Sequence, residues 1–283
     1  MGVSPLPFGD DGEREIYSFM SDAEVRAFAK AHAPDFYISA LLAPRAVQPH
    51  LIALAAFLGD VERITTTISE PAIAEIRLQW WRDTIEAAGR GEKSGDPRAD
   101  ALGEAIRARR LPFAEFDGLL DARALDLYAD PLPDKEALGV YLRSSDGAAF
   151  RLAARCLGSE RWGVSLVLHS AHAYGITRLV RNLPVLLARG RTPFPDFDPT
   201  DPSKRDAQLV FWRYTARERL ALARALWRNS PREERAACLP LALVKPYLRV
   251  SERPGHDPAR MLVDIEPLTR IWRLWQAHAL GRI

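Results

Sequence analysis

Cysteine is nearly absent: Cys156 and Cys238 are the two in 283 residues, far apart and in no metal-ligand spacing. That argues against a disulfide framework and points to a reducing compartment. Charge of one sign is also missing. Lys and Arg number 39 against 37 Asp and Glu, a net +2, whereas a dedicated nucleic-acid binder carries a basic excess. No uncharged apolar run reaches the ~18–20 residues of a membrane span. The longest candidate, Trp162 to Thr177, contains His169 and His172. The stretch MGVSPLPFGDDGEREIYSF has no basic region followed by an apolar run, so no secretory signal is expected. Gly-rich phosphate loops and a Ser/His/Asp order are missing too. So are period-2 runs rich in β-branched residues, which removes the usual signature of strands.

What remains is helical. Apolar residues recur at helical spacing throughout, and prolines punctuate the chain. Apolar residues make up 47% of the sequence, enough for a sizeable core. The pattern predicts an all-α protein of roughly ten helices in a single domain over 1–283, residues 1–20 being a loose leader. Predicted helices include 49–66, 71–90, 98–110 and 204–229. Asp134 to Leu157 reads as one long helix, Trp162 to Leu183 as the most apolar, 231–250 as another, and about 265–281 as the last.

The stretch Ala56 to Asp83, AFLGDVERITTTISEPAIAEIRLQWWRD, resembles the squalene/phytoene synthase family, whose members read roughly AF-C-R-x-V-D-D-I-V-D followed by a helix with a WR pair. Further matching elements are Asp126-Leu127 and Gly190-Arg191 with Pro195, and the resemblance covers about residues 35–250. It implies the all-α isoprenoid synthase fold. It also implies enzymes that condense two prenyl diphosphates, with two aspartate-rich motifs on facing helices holding Mg²⁺ against the leaving diphosphate.

The acids of those motifs are altered here. In the first motif Glu62 stands at the first acid and Thr66 at the second, with Arg63 where many members have another Asp. In the second, aligned on Gly190-Arg191, Arg178 replaces an Asn, Asn182 the first Asp and Leu186 the second. Pro184 predicts that the helix ends or bends there. Between Ile176 and Arg189 there is no Asp or Glu at all, an observation that needs no family knowledge. In the central helix Arg143 replaces a Tyr and Phe150 the last Gly of a small-residue element, so charge and bulk enter where the resemblance places the prenyl tunnel.

The family fold would bring Arg63, Arg143, Arg178 and Arg181 together, with Arg191 beside them. With Glu62 they are the candidate ligand-binding set, for a prenyl diphosphate or a lipid headgroup. The preferred reading is ion pairing to Glu62, Asp146 and similar acids. No metal ligand is assigned. Asp60 lies two residues before Glu62, nearly on the opposite side of a helix. Asp121 and Asp126 are read as solvated or structural, and His169 and His172 as packing or surface histidines. Trp272 and Trp275, with Arg270, Arg273 and Arg282, are read as closing the core, in preference to a membrane-surface helix.

The expectation is therefore a catalytically degenerate member of this family. The run Ala56-Phe57, Glu62, Ser69-Glu70, Arg77, Gln79 and Trp81 is similar to a branch whose eukaryotic members are respiratory complex I assembly factors. That implies a binding or assembly factor with a protein partner, cytoplasmic or peripheral on the inner face of a respiratory membrane, without a cofactor. The alternative is a divergent prenyl transferase in which Glu62 and Asp60 hold one Mg²⁺.

Overall fold

The computed structural model describes residues 22–159 and 163–283; the predicted leader 1–20 and the start of the helix predicted from Trp162 lie outside them. Among the described residues there is no strand. Two helices form the centre. Helix α3 (Gln48–Thr67) is buried at nearly every position from Leu51 to Phe57, as expected of a helix apolar all round. Helix α9 (Val164–Arg181) is buried from Leu166 to Val180 along most of its length.

The remaining helices cover these two. On the α3 side lie α1 (22–32), α2 (Pro34–Leu41), α4 (Pro71–Gly89), α5 (Pro97–Arg109) and α6 (Phe113–Ala124). On the α9 side lie α7 (Lys135–Ser144), α8 (Asp146–Cys156), the short α10 (Leu183–Ala188) and α11 (Pro202–Trp227). Helix α11 runs along α9 on a stripe of Leu209, Trp212, Ala216, Leu220, Ala223 and Trp227, the three-and-four spacing of one helix face. Helices α12 (Val244–Val250) and α13 (Pro267–Leu280) close the chain.

Local chemistry sets the ends. Prolines open α4, α5, α11 and α13 in the first turn, where a missing N–H leaves no bond unmade. Asp96, Asp134 and Asp201 cap α5, α7 and α11, accepting backbone N–H bonds of the first turn. The acidic start of the Ala56–Asp83 stretch is also structural. Asp60, fully buried, accepts from Trp81 Nε1 at 3.0 Å and pairs with Arg63 and Arg98. Trp81 meets Phe57 edge-on at 5.1 Å. These bonds join α3 to α4 and point Asp60 away from α9.

The chain breaks more often than the periodicity predicts. The single helix expected over Asp134–Leu157 is two, parted at Ser145 (φ −89°, ψ −83°). The Ser145 hydroxyl donates back to the Tyr141 carbonyl, the local competition by which serine bends helices. The 231–250 helix is a 3₁₀ segment, Arg232–Leu243, followed by α12; Pro240 inside it has no N–H for an α-type bond. At Asn182 the prediction from Pro184 holds. Helix α9 stops at Arg181, and Pro184 sits in the first turn of α10.

Helix α13 overturns one expectation. Its core side is Arg270, Leu274 and Ala277, while Trp272 and Trp275 are about half exposed. The tryptophans do not close the core; the helix carries a second apolar pair, Leu274 and Ala277, and that side turns inward with Arg270.

Candidate functional site

A cavity of about 150 Å³ opens between α3 and α9, with the ends of α1, α2, α6 and α8 around it. It is the meeting place of the two altered motifs. Helix α3 supplies Leu58, Val61 and Glu62; α9 supplies Tyr174, Arg178 and Arg181, with Asn182 at its end. Positions 174, 178 and 181 share a face because they stand at i, i+4 and i+7. Asp35 enters from the first turn of α2, Arg123 from α6 and Asp146 from the break before α8.

Three carboxylates thus meet across one cavity, and each is already engaged. Glu62 takes Arg123 Nη2 at 2.5 Å and Asn182 Nδ2, with Arg178 Nη1 at 3.9 Å. Asp146 is held by both ends of one guanidinium, Arg178 Nε at 3.0 Å and Nη2 at 3.0 Å, the paired geometry arginine favours. Asp35 accepts from Tyr247 at 2.7 Å, Tyr174 at 2.9 Å, Arg270 at 2.9 Å and Arg181 at 3.4 Å. Charge is therefore matched inside the cavity wall, arginine against acid.

Behind this lining lies a second charged layer. Asp126, buried, pairs with Arg191 at 2.9 Å and Arg123 at 3.1 Å and accepts from the Tyr141 hydroxyl at 2.9 Å. Tyr141 in turn accepts from Arg178 Nη2 at 2.9 Å, so one chain of hydrogen bonds and ion pairs links Asp146 to Glu62. The electrostatics follow. Burial opposes the Arg178 charge, but Asp146, Tyr141 and Glu62 outweigh it and hold that guanidinium well above its ordinary value. Burial would raise the Asp126 carboxyl, yet Arg123 and Arg191 keep it below the usual range. The Tyr174 hydroxyl is pushed well up by burial and by the negative Asp35. The thiols stand apart from this chemistry; burial pushes Cys156 up to about 12.

The candidate residues divide. Glu62, Arg178, Arg181 and Asn182 reach the cavity. Arg63 turns to Asp60 at 3.0 Å on the far side of α3. Arg143 is exposed on α7, so the convergence expected for it does not occur; the break at Ser145 faces Asp146 inward and leaves Arg143 outside. Arg191 is buried behind the cavity on Asp126. Thr66 bonds its own helix, donating to the Glu62 carbonyl at 2.7 Å, and Leu186 is core. Asp121 is exposed against Arg82. His169 lies against Arg219 and His172 bonds the Leu168 carbonyl. Phe150 is buried in a ring trio with Phe36 and Tyr174, centroids 5.6–6.0 Å apart, filling space beside the cavity.

Sequence reasoning missed Asp35, Arg123 and Tyr174. The 174/178/181 spacing was a usable signal for Tyr174. Nothing local marks Asp35, whose partners lie up to 235 residues away. Among the described residues no group of three or more His, Cys, Asp or Glu is placed to hold a metal ion.

Residues 29–273 match the sequence profile of squalene/phytoene synthase. A presqualene diphosphate synthase of Rhodopseudomonas palustris is 29% identical over 164 residues, 56% of this chain and 57% of that protein; the match spans less than two thirds of its length. Mouse NADH dehydrogenase (ubiquinone) complex I, assembly factor 6 is 23% identical over 258 residues, 84% of this chain and 78% of its own. Among solved structures, squalene synthase HpnC from Alicyclobacillus acidocaldarius superposes with a TM-score of 0.70 at 20% identity, over 86% of this chain and 97% of that one. A dehydrosqualene synthase in complex with ligand gives 0.70 at 13% identity, over 93% and 98%. At these identities the structures speak for the fold alone.

Proposed function

The chain belongs to the squalene/phytoene synthase family, and from that premise we propose a member that has given up metal-dependent joining of prenyl diphosphates and acts as a binding factor in respiratory complex I assembly, at the inner face of the membrane. One observation carries this reading: every carboxylate in the cavity is already held by a guanidinium. Mg²⁺ needs hard oxygen ligands that are free to bind it. Seating it on Glu62 or Asp146 would strip a buried arginine of its partner, at about 3–5 kcal/mol for each pair broken. Asn182 cannot replace an acid, and Asp60 faces away, already bound by Trp81, Arg63 and Arg98. The residues present do not fit the ion. The cavity is also small for a prenyl diphosphate: about 150 Å³ falls short of the ~300 Å³ of a small ligand pocket.

The assembly role is supported by the relative matched over the greater share of this chain, the mouse assembly factor at 84%. Two experiments test the reading. Purified protein given farnesyl diphosphate and Mg²⁺ is expected to release no diphosphate above background; release abolished by Glu62→Ala overturns it. A pull-down from detergent-solubilised membranes is expected to recover complex I subunits, and their absence removes the assembly role.

A second reading has an observation in its favour. Asp35, Glu62 and Asp146 do converge on one cavity, and a relative is named presqualene diphosphate synthase. Under it the chain is a prenyl transferase, or a carrier of a prenyl diphosphate or lipid, and the same incubation separates the two, by turnover or by retention of the prenyl compound in a chelator-treated sample.

A further inference from the structure

Helix α11 carries a row of cations along one edge of the stripe that packs on α9. Arg213, Arg217 and Arg224 stand at i, i+4 and i+11, on one face of the helix. Helix α12 packs against α11 and adds Lys245 and Arg249, i and i+4 on its exposed side. The acids around them are few. Glu252 takes Arg217 at 2.5 Å. Asp206, two turns before Arg213 at the far end of the row, is held by Arg205 at 3.0 Å. Glu218 belongs to the groove between α7 and α11, where Tyr214 donates to it. Among the described residues Arg213, Arg224, Lys245 and Arg249 have no ion-pair partner, and the Nε atoms of Arg213 and Arg224 are buried without a hydrogen bond.

Like charges crowded on two packed helices repel, and buried N–H groups left unbonded add to the cost. Arg224, burial, Arg249 and Arg217 all oppose the Lys245 charge and push its amine below the ordinary value. Burial and Arg228 act on Arg224 in the same direction. An anion seated among these groups would relieve each repulsion. Arg217, Arg224, Lys245 and Arg249 against Glu252 leave four minus one, or three, positive charges uncompensated. A single carboxylate from a partner falls short of that. A phosphate group brings up to about two charges and three acceptor oxygens, and guanidinium forks match its geometry. A nucleic acid would also need rings for its bases to stack on, and the exposed aromatics of α11, Phe211 and Tyr214, turn to the α7 groove instead. None of the four cations lines the cavity between α3 and α9, so the cluster is independent of either reading of the chemistry there.

We propose that Arg217, Arg224, Lys245 and Arg249 form a site for a phosphate group, carried by a soluble phosphorylated ligand or by a phospholipid headgroup. The full chain is titrated with pyrophosphate by calorimetry and melted with and without it, at fixed ionic strength with chloride as the reference. Pyrophosphate is expected to bind and to raise the melting temperature. Lys245→Gln with Arg249→Gln, both exposed, is expected to weaken binding about tenfold or more. In chloride the same variant is expected to melt no lower than the parent, because it removes repulsion. Arg45→Gln with Arg90→Gln takes the same charge from exposed positions on the α3 side and is expected to leave binding unchanged. Sucrose-loaded vesicles of phosphatidylcholine, with or without phosphatidic acid, distinguish the two sources. Among the described residues no helix is long and apolar enough to cross a membrane, so pelleting reports attachment to the vesicle surface. Pelleting with phosphatidic acid that the Lys245/Arg249 variant loses assigns the phosphate to a headgroup; pyrophosphate binding without pelleting assigns it to a soluble ligand. The proposal is overturned if neither pyrophosphate nor phosphatidic acid is bound, if the Lys245/Arg249 variant binds as the parent does, or if the Arg45/Arg90 variant weakens binding equally. It is also overturned if poly-glutamate binds more tightly than pyrophosphate, since the cluster would then be a docking face for an acidic protein.

Discussion

At the scale of single residues, the cavity is a set of matched charges whose spacing leaves no slack. Gly175 on α9 faces the Asp146–Arg178 pair, and a Cβ there would lie 2.5 Å from Leu142 Cδ2 and 2.6 Å from Asp146 Oδ2. Neither α8 nor the carboxylate can give way without loosening the bidentate pair. Gly175→Ala is therefore expected to destabilise the protein by about 1–3 kcal/mol, read as a lower urea midpoint at unchanged slope. An unchanged midpoint would mean that α8 and α9 are not held at this separation.

At the scale of elements, α13 depends on one arginine. Arg270 reaches Asp35 on α2 and Asp264 in the preceding loop, while Asp35 also gathers Arg181, Tyr174 from α9 and Tyr247 from α12. A single buried acid thus ties four helices. Arg270→Met keeps the apolar stem of the side chain and removes the charge. Amide exchange across α13 is expected to quicken at least about tenfold, with α3 and α9 unaffected. If exchange quickens throughout, the arginine serves global folding rather than the docking of this helix. The broken helix at Ser145 is the companion case: a local hydroxyl bond reorients α8, and that turn determines which of two neighbouring charges, Arg143 or Asp146, reaches the interior.

At the scale of the whole molecule, the buried ion network makes stability depend on acid. Asp126 titrates below the ordinary carboxylate range because Arg123 and Arg191 offset its burial. A group depressed in this way stabilises the fold at pH above its unfolded value, about 4, and loses that contribution as pH falls through the lower folded value. Asp126→Asn is expected to cost about 3–5 kcal/mol at neutral pH, because it leaves two buried arginines short of a partner. The gap between parent and variant is expected to narrow below pH ~4, where the parent begins to protonate. Thermal unfolding across that range measures it, and a gap independent of pH would show that the charge of Asp126 is not the stabilising element.

Much was legible in the chain alone. Helical periodicity is a local property, so the all-α class, the proline start of α4 and the stop near Pro184 could be read without coordinates. So could the acid-free interval from Ile176 to Arg189, which removes the second motif whatever the register. Tertiary structure decided the rest, because a helix does not encode which of its faces will find a neighbour. Arg178 could have met a phosphate; it meets Asp146, 32 residues away. Glu62 could have been open; Arg123, 61 residues on, closes it. Helix α13 offers two apolar stripes, and only packing against α2 and the 3₁₀ segment determines that Leu274 goes in and Trp272 stays out.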